Sequence, residues 1–365
     1  VEHRLAPDAR IAIEATTNTW AVVDVIEPLV TEVVVSNPLR TRAIAEARIK
    51  TDKIDAYILA QLLRCDYLPR VWIPDAETRE LRQITTQRAS LVADRTRLKN
   101  RIHAVLHQRL IHPPGARLFS KTGLRWLREL ELDPLARDQI DMHLDQLALV
   151  DRLIEQVGKT LAARAYREDE VKLLMTLPGF DVAVAQTVRS TLGDVHRFKS
   201  ADHAASYFGL AVSVTQSANT CHYGRITKQG RSHARWMLVQ AAQHLDKHPG
   251  PLGAFFRRLA KKKNRNVAVV ATARKLVVIA WHMLKHNEPY RYAQPRTVSE
   301  KLARLRIAAG HPKRKPTTKG TKRPESYGTG KRTRAIPSLE QAYQAEHLPA
   351  LLPVIKRDPP FGHQT

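Results

Sequence analysis

From Glu77 to His112 the chain repeats Leu81, Ile84, Leu91, Leu98, Ile102, Val105 and Leu106 at helical spacing among many arginines. An apolar stripe this long and narrow asks for a second helix beside it. Asp138 to Arg164 offers one, with Ile140, Leu144, Leu147, Val150, Ile154 and Val157 on its apolar side. Pro113, Pro114 and Gly115 mark a turn between them. The spacing predicts an antiparallel helical hairpin, a coiled-coil region over 77–168, projecting from whatever core the rest of the chain builds.

On the N-terminal side, residues 11–16 and 32–36 read as short buried strands, and Asn18 to Leu29 as the helix joining them in a βαβ unit. A helix from about Thr51 to Cys65 follows, with Ile54, Ile58, Leu59, Leu62 and Leu63 inward, then a connector between Pro69 and Pro74. On the C-terminal side the composition changes at Val171. Leu177-Pro178-Gly179-Phe180 separates two short helical patterns, and further helix runs through Trp236–Leu245 and Val267–Leu284. Beyond Tyr290 the chain is rich in Pro, Lys, Arg, Thr and Gly and reads as a flexible basic tail. The expected class is α/β plus all-α, divided as 1–76, 77–168, 169–292 and 293–365.

Sixty Lys and Arg against 35 Asp and Glu give a net charge of +25, while 43% of residues are hydrophobic. A folded protein with that balance expects a polyanionic partner, and nucleic acid leads. No run approaches the roughly 18 uninterrupted apolar residues of a membrane span, and no signal-peptide pattern opens the chain. Cys65 and Cys221 are too few and too far apart for a disulfide framework or zinc ribbon, which fits a reducing cytoplasm.

Three acids stand out. Asp52 and Asp55 share one face of a helix turn, and Glu14 ends an apolar strand. Hard oxygens gathered in this way suit a divalent cation, although a solvated helix N-terminus also favours acids. Ser217 lies in a polar stretch with no nucleophile elbow around it, and from the residues alone it reads as a serine in a polar loop. The neighbouring Gly224–Arg231 segment, with Arg225, Lys228 and Arg231, could cradle phosphate. The Pro178-Gly179 turn resembles the helix-hairpin-helix grip on a phosphate backbone. Arg257, Arg258, Lys261, Lys262, Lys263 and Arg265 form a charge block suited to phosphates or to a solvated face. The tryptophans are dispersed, which suits packing more than a stacking platform. His103-Ala-Val-Leu-His107 lacks the glutamate of a zincin, and no phosphate-binding loop of the ATPase kind occurs.

Taken in order, Ile13-Glu14-Ala15-Thr16, Asn37-Pro38, Lys50-Thr51-Asp52-Lys53-Ile54-Asp55-Ala56, Leu177-Pro178-Gly179, Tyr207-Phe208-Gly209-Leu210, Ser217 and Ile226-Thr227-Lys228-Gln229-Gly230 resemble the IS110/IS1111 transposases of bacterial insertion sequences. The resemblance runs over roughly residues 10 to 290. It implies a RuvC-like (RNase H-type) domain with a DEDD acid set and a C-terminal helical transposase domain. It also implies that Glu14, Asp52 and Asp55 bind Mg²⁺ and that Ser217 attacks a DNA phosphate. Donor and target DNA, a noncoding bridge RNA, and a dimer or tetramer would be the partners. The family's first acid lies several tens of residues before Glu14, so the sequence reads as N-terminally truncated, and Ala218 stands where the family usually has glycine. Two other readings compete: an inactive remnant that only binds nucleic acid, and a RuvC-like metal-dependent junction nuclease.

Overall fold

The computed structural model describes residues 5–44, 51–115, 117–217, 220–312 and 338–351. The chain divides into two compact units, Val1–Ala76 and Glu77–Thr365. In the first, β1 (Arg10–Glu14) and β2 (Glu32–Ser36) pair in parallel, from Arg10 opposite Glu32 to Glu14 opposite Ser36. The link is helix α1 (Thr19–Ile26) with a 3₁₀ turn at Glu27–Leu29. Helices α2 (Pro38–Ile44) and α3 (Asp52–Arg64) follow. Strand alternation gives the small sheet two covered faces. Ile13, Val33 and Val35 pack with Val23 and Trp20, whereas Ala12 and Val34 pack with Leu59, Leu62 and Leu63 of α3. Residues 69–71 run antiparallel beside β2, with Val71 N–H bonded to Val35 O at 2.7 Å.

The second unit opens on α4 (Ala76–His107), then α5 (Lys121–Glu129) and α6 (Pro134–Arg167). α4 and α6 form the antiparallel hairpin that the periodicity predicts. Leu98, Ile102 and Leu106 meet Ile140, Leu144 and Leu147, with Leu127 of α5 against them. Ion pairs mark both ends, Arg109 with Asp133 at 2.5 Å and Arg164 with Glu77 and Glu80 at 3.0 Å each. Such exposed pairs add little energy but fix the direction of the second helix.

The remaining core is built by α7 (Asp169–Met175), α8 (Val182–Leu192), α9 (Ala201–Tyr207), α10 (Ser232–Gln243), α11 (Pro251–Lys262) and α12 (Arg265–His286). Phe180, Phe208 and Phe256 are fully buried there. The C-terminal end of α8 accepts from two guanidinium groups, one buried and one half-buried. Arg82 of α4 donates to Ser190 O at 2.7 Å, and Arg197 donates to Leu192 O at 3.0 Å. Cations at that end oppose the negative pole of the helix. By length and composition α12 could cross a membrane, yet its Ala268, Ala273, Leu276, Val277 and Ala280 are core residues.

Two elements depart from the sequence reading. Residues 212–226 are not merely a polar loop: β3 (Val212–Ser217) and β4 (Thr220–Ile226) form an antiparallel hairpin. The stretch after 293 is not all tail. Helix α13 (Pro295–Ala308) buries Val298, Leu302 and Leu305, and α14 (Leu339–Gln344) sends Tyr343 into the core, where its hydroxyl donates to Tyr290 O at 2.7 Å. Arg306 and Glu346 pair at 3.0 Å, both nearly buried. Four arginines and lysines within α13 mask its i, i+4, i+7 apolar spacing in any reading based on composition. The basic runs at 313–315 and 331–334 lie outside the described residues.

Candidate active site

Glu14 ends β1 two residues beyond Ala12, so it faces the α3 side of the sheet. The direction of α3 follows from its other end. Asp66, just past the helix, lies 3.9 Å from Arg10 at the start of β1, and Arg70 joins Asp66 at 2.8 Å and Glu32 at 2.5 Å. These guanidinium groups hold the Glu32 and Asp66 carboxyls below the usual carboxylate range, Arg10 acting first on Glu32 and Arg70 first on Asp66. α3 therefore runs back against β1, and its N-terminus, with Asp52 and Asp55, lies toward the Glu14 end. Thr51 caps the helix, its hydroxyl accepting from Ile54 N–H at 3.3 Å, which leaves both carboxylates out of the cap.

Among the described residues Glu14, Asp52 and Asp55 make no ion pair. Their oxygens are the donor type a hard divalent cation takes. No three His, Cys, Asp or Glu among the described residues stand close enough to hold a metal ion. The fold brings the acids to one end of the unit without closing a coordination set.

Ser217 is the last residue of β3, exposed and paired with Thr220 across the hairpin. The root of the hairpin is where the sequence is tightly specified. Gly209 and Gly230 have φ of +69° and +89°, and a Cβ on them would lie 2.1 Å from Gln229 O and 2.2 Å from Tyr207 O. Only glycine permits that crossing of backbones. Thr227 N–H bonds Ala211 O at 2.9 Å, and Arg235 Nη1 donates to Phe208 O and Lys228 O at 3.2 and 3.0 Å, tying the two segments. Lys228 itself has φ of +56°. The register also shows a residue that sequence reasoning passed over. Thr215 pairs with His222, so His222 sits on the same hairpin face as Ser217, diagonal to it.

The cations divide into two groups. Arg257 donates to Asp246 O at 2.6 Å and His248 O at 3.0 Å, and Arg265 pairs with Asp246 at 3.2 Å and bonds Gln243 O at 3.1 Å. Both hold the turn after α10 together rather than standing free for phosphates. Arg258 lies 5.8 Å from the Phe255 ring. Lys261, Lys262 and Lys263 have no ionic partner among the described residues, and neither do Arg225, Lys228 and Arg231. Burial, then nearby Arg82, lowers the Arg231 pKa; burial, then Arg231 and Arg88, lowers that of His233. At the helix-hairpin-helix-like turn Pro178 is buried and Gly179 exposed, with φ of +81°. Only Gly179 offers the turn's backbone to a ligand. Lys301 braces the turn from behind, donating to Leu177 O at 2.7 Å and Phe180 O at 3.0 Å.

Comparison with known proteins adds two matches in chain order. Residues 2–111 match a transposase model of the DEDD IS110 type, and residues 171–257 match the model described as "Transposase IS116/IS110/IS902 family". The y4qE protein of Sinorhizobium fredii is 32% identical over 197 residues, covering 53% of this chain and 48% of that protein. The chain thus spans about half the length of that relative. The transposase for insertion sequence element IS1111A of Coxiella burnetii is 25% identical, covering 66% of this chain and 68% of its own. The pilin gene-inverting protein of Moraxella lacunata is 26% identical, covering 71% and 74%. With both models matched in order across more than half its length, the chain belongs to the IS110 family of transposases.

Proposed function

We propose that this chain cuts and rejoins DNA through a serine ester, with Ser217 as nucleophile and Glu14, Asp52 and Asp55 as ligands for Mg²⁺. The observation that carries the reading is the placement of Ser217, exposed at the far end of a hairpin whose root is locked by two glycines and Arg235. A serine hydroxyl needs its proton removed to attack, and His222, on the same hairpin face by register, would take it. Attack forms the Oγ–P bond and breaks one sugar P–O bond, and the departing sugar oxygen takes up the proton. A sugar hydroxyl of a second strand then attacks the phosphoserine, restoring Ser217 and joining the strands. Bound Mg²⁺ would supply polarisation of the phosphate oxygens. Lys228 and Lys261 to Lys263 steer the DNA backbone. Target choice would fall to a bridge RNA paired with donor and target DNA, in a homo-oligomer, with the protein supplying charge and position.

The test is a denaturing gel of the chain incubated with end-labelled donor DNA and Mg²⁺. Wild type yields a covalent protein–DNA band; Ser217→Ala loses it and loses joining while still binding DNA. His222→Ala slows joining about 100-fold. Strand joining that persists in Ser217→Ala would sink the serine mechanism and leave the metal-dependent nuclease reading. Wild type that binds DNA and never cuts it would leave the binding-only reading.

A further inference from the structure

α4, α8 and α10 enclose a groove of about 340 Å³ whose edge reaches the exposed Gly179 turn. That volume is within the range of small-molecule sites and admits a nucleotide. Trp236 of α10 lines it and is 45% exposed, whereas Phe180, Phe208 and Phe256 in the same unit are fully buried. Its ring lies nearly parallel to that of His233, 26° between planes and 6.4 Å between centroids. An indole left open beside a second flat ring is a surface for stacking a base.

The charge of the groove agrees. Arg88 has no anionic partner among the described residues, and the partner of Arg95, Asp151, stands at 3.6 Å. Arg231 at the head of α10 is likewise unpartnered. Of the residues lining the groove, Asp181 alone is acidic, and its carboxylate caps α8 by accepting from Val184 N–H at 2.8 Å. Two arginines therefore line the groove from α4, Arg88 with no anionic partner among the described residues and Arg95 held loosely by Asp151, against the single carboxylate of Asp181. Along α10 the lining runs from His233 to His244, about 17 Å at 1.5 Å per residue, which is several nucleotide steps on one strand.

We propose that the groove between α4, α8 and α10 holds an unpaired polynucleotide strand, with a base stacked on Trp236 and the phosphates set against Arg88 and Arg95. The proposal rests on the reading of the chain as a DNA-cutting enzyme and adds where a strand opened for exchange is gripped. Its ligand chemistry is a base followed by a phosphodiester, from DNA or from RNA.

Fluorescence anisotropy of the full chain with labelled 12-mers of oligo-dT and oligo-U, and with a dT·dA duplex, tests it. Trp236→Ala is expected to weaken single-strand binding at least about fivefold and duplex binding less than twofold. Trp236→Phe retains most of the affinity. Arg88→Gln flattens the salt dependence of single-strand binding by somewhat less than one unit of slope. Whichever of oligo-dT and oligo-U suffers more from Trp236→Ala names the strand as DNA or RNA. Equal losses on duplex and single strand, or none on either, overturn the proposal. Trp236→Leu keeps an apolar side chain without a π face and guards against a folding defect; wild-type single-strand affinity in it also overturns the proposal. Loss of joining in Ser217→Ala beside unchanged strand binding in Trp236→Ala discards the groove alone. Joining intact in Ser217→Ala beside strand-specific loss in Trp236→Ala discards the serine alone.

Discussion

Gly209 and Gly230 hold the position of Ser217 from a distance, because each lets one backbone pass within reach of another. Gly209→Ala puts a methyl group against Gln229 O at a positive φ, which costs on the order of 1–3 kcal/mol of local stability. Amide hydrogen exchange at Thr227 and Lys228 should then quicken while that of Phe180 stays slow. Lys301 makes a second prediction. Burial lowers its pKa to about 7 from 10.5. Between those values the unfolded chain binds a proton that the folded chain does not, so this group makes stability rise with pH across that window. Urea unfolding at pH 6.5, 8 and 9.5 should show the rise, and Lys301→Met should flatten it. The motif glycines were legible in the sequence, whereas Ser217 stood out only through the family resemblance. Arg235 and His222 were not legible, since their roles come from which carbonyl and which cross-strand partner they meet.

At the scale of elements, long amphipathic helices were legible because a 3.6-residue period sustained over thirty residues has few alternatives. Their packing predicts a large cost for truncation. Ile140→Ala, at a position with 0% exposure, should lose about 2–5 kcal/mol in thermal or chemical unfolding. β3 and β4 left no such signal. Six residues of β3 are all exposed, so no alternation of apolar and polar positions was required of them. α13 was hidden by its own arginines, and the 45% exposure of Trp236 could not be read from its place in the sequence. The acid pair at the head of α3 was legible as a pair. That Glu14 faces the same side needed the strand register and the Arg10–Asp66 contact.

For the whole molecule, a charge of +25 predicts DNA binding that weakens linearly in log affinity against log salt, with a slope near −0.9 per phosphate neutralised. The structure separates cations that can enter that slope from those that cannot. Lys261→Ala, Lys262→Ala and Lys263→Ala combined should reduce it by about 2–3. Arg257→Ala should leave it unchanged and lower stability instead, since its guanidinium holds the Asp246 and His248 carbonyls. A triple lysine variant with the parental slope would show that this face meets no phosphate. Counting charges in the sequence could not draw the distinction, because a bound guanidinium and a free one carry the same formal charge.

The β3–β4 hairpin also has a mechanical meaning. From Val212 to Ser217 the strand is about 17 Å long at 3.4 Å per residue. A tilt of about 10° at its root moves the serine oxygen by about 3 Å, whereas a misplacement of only about 1 Å can cost a hundredfold in rate. The hairpin is a lever with its fulcrum at Gly209, Gly230 and Arg235. If Ser217 is the nucleophile proposed above, small adjustments there would carry its hydroxyl into or out of striking distance of a phosphate.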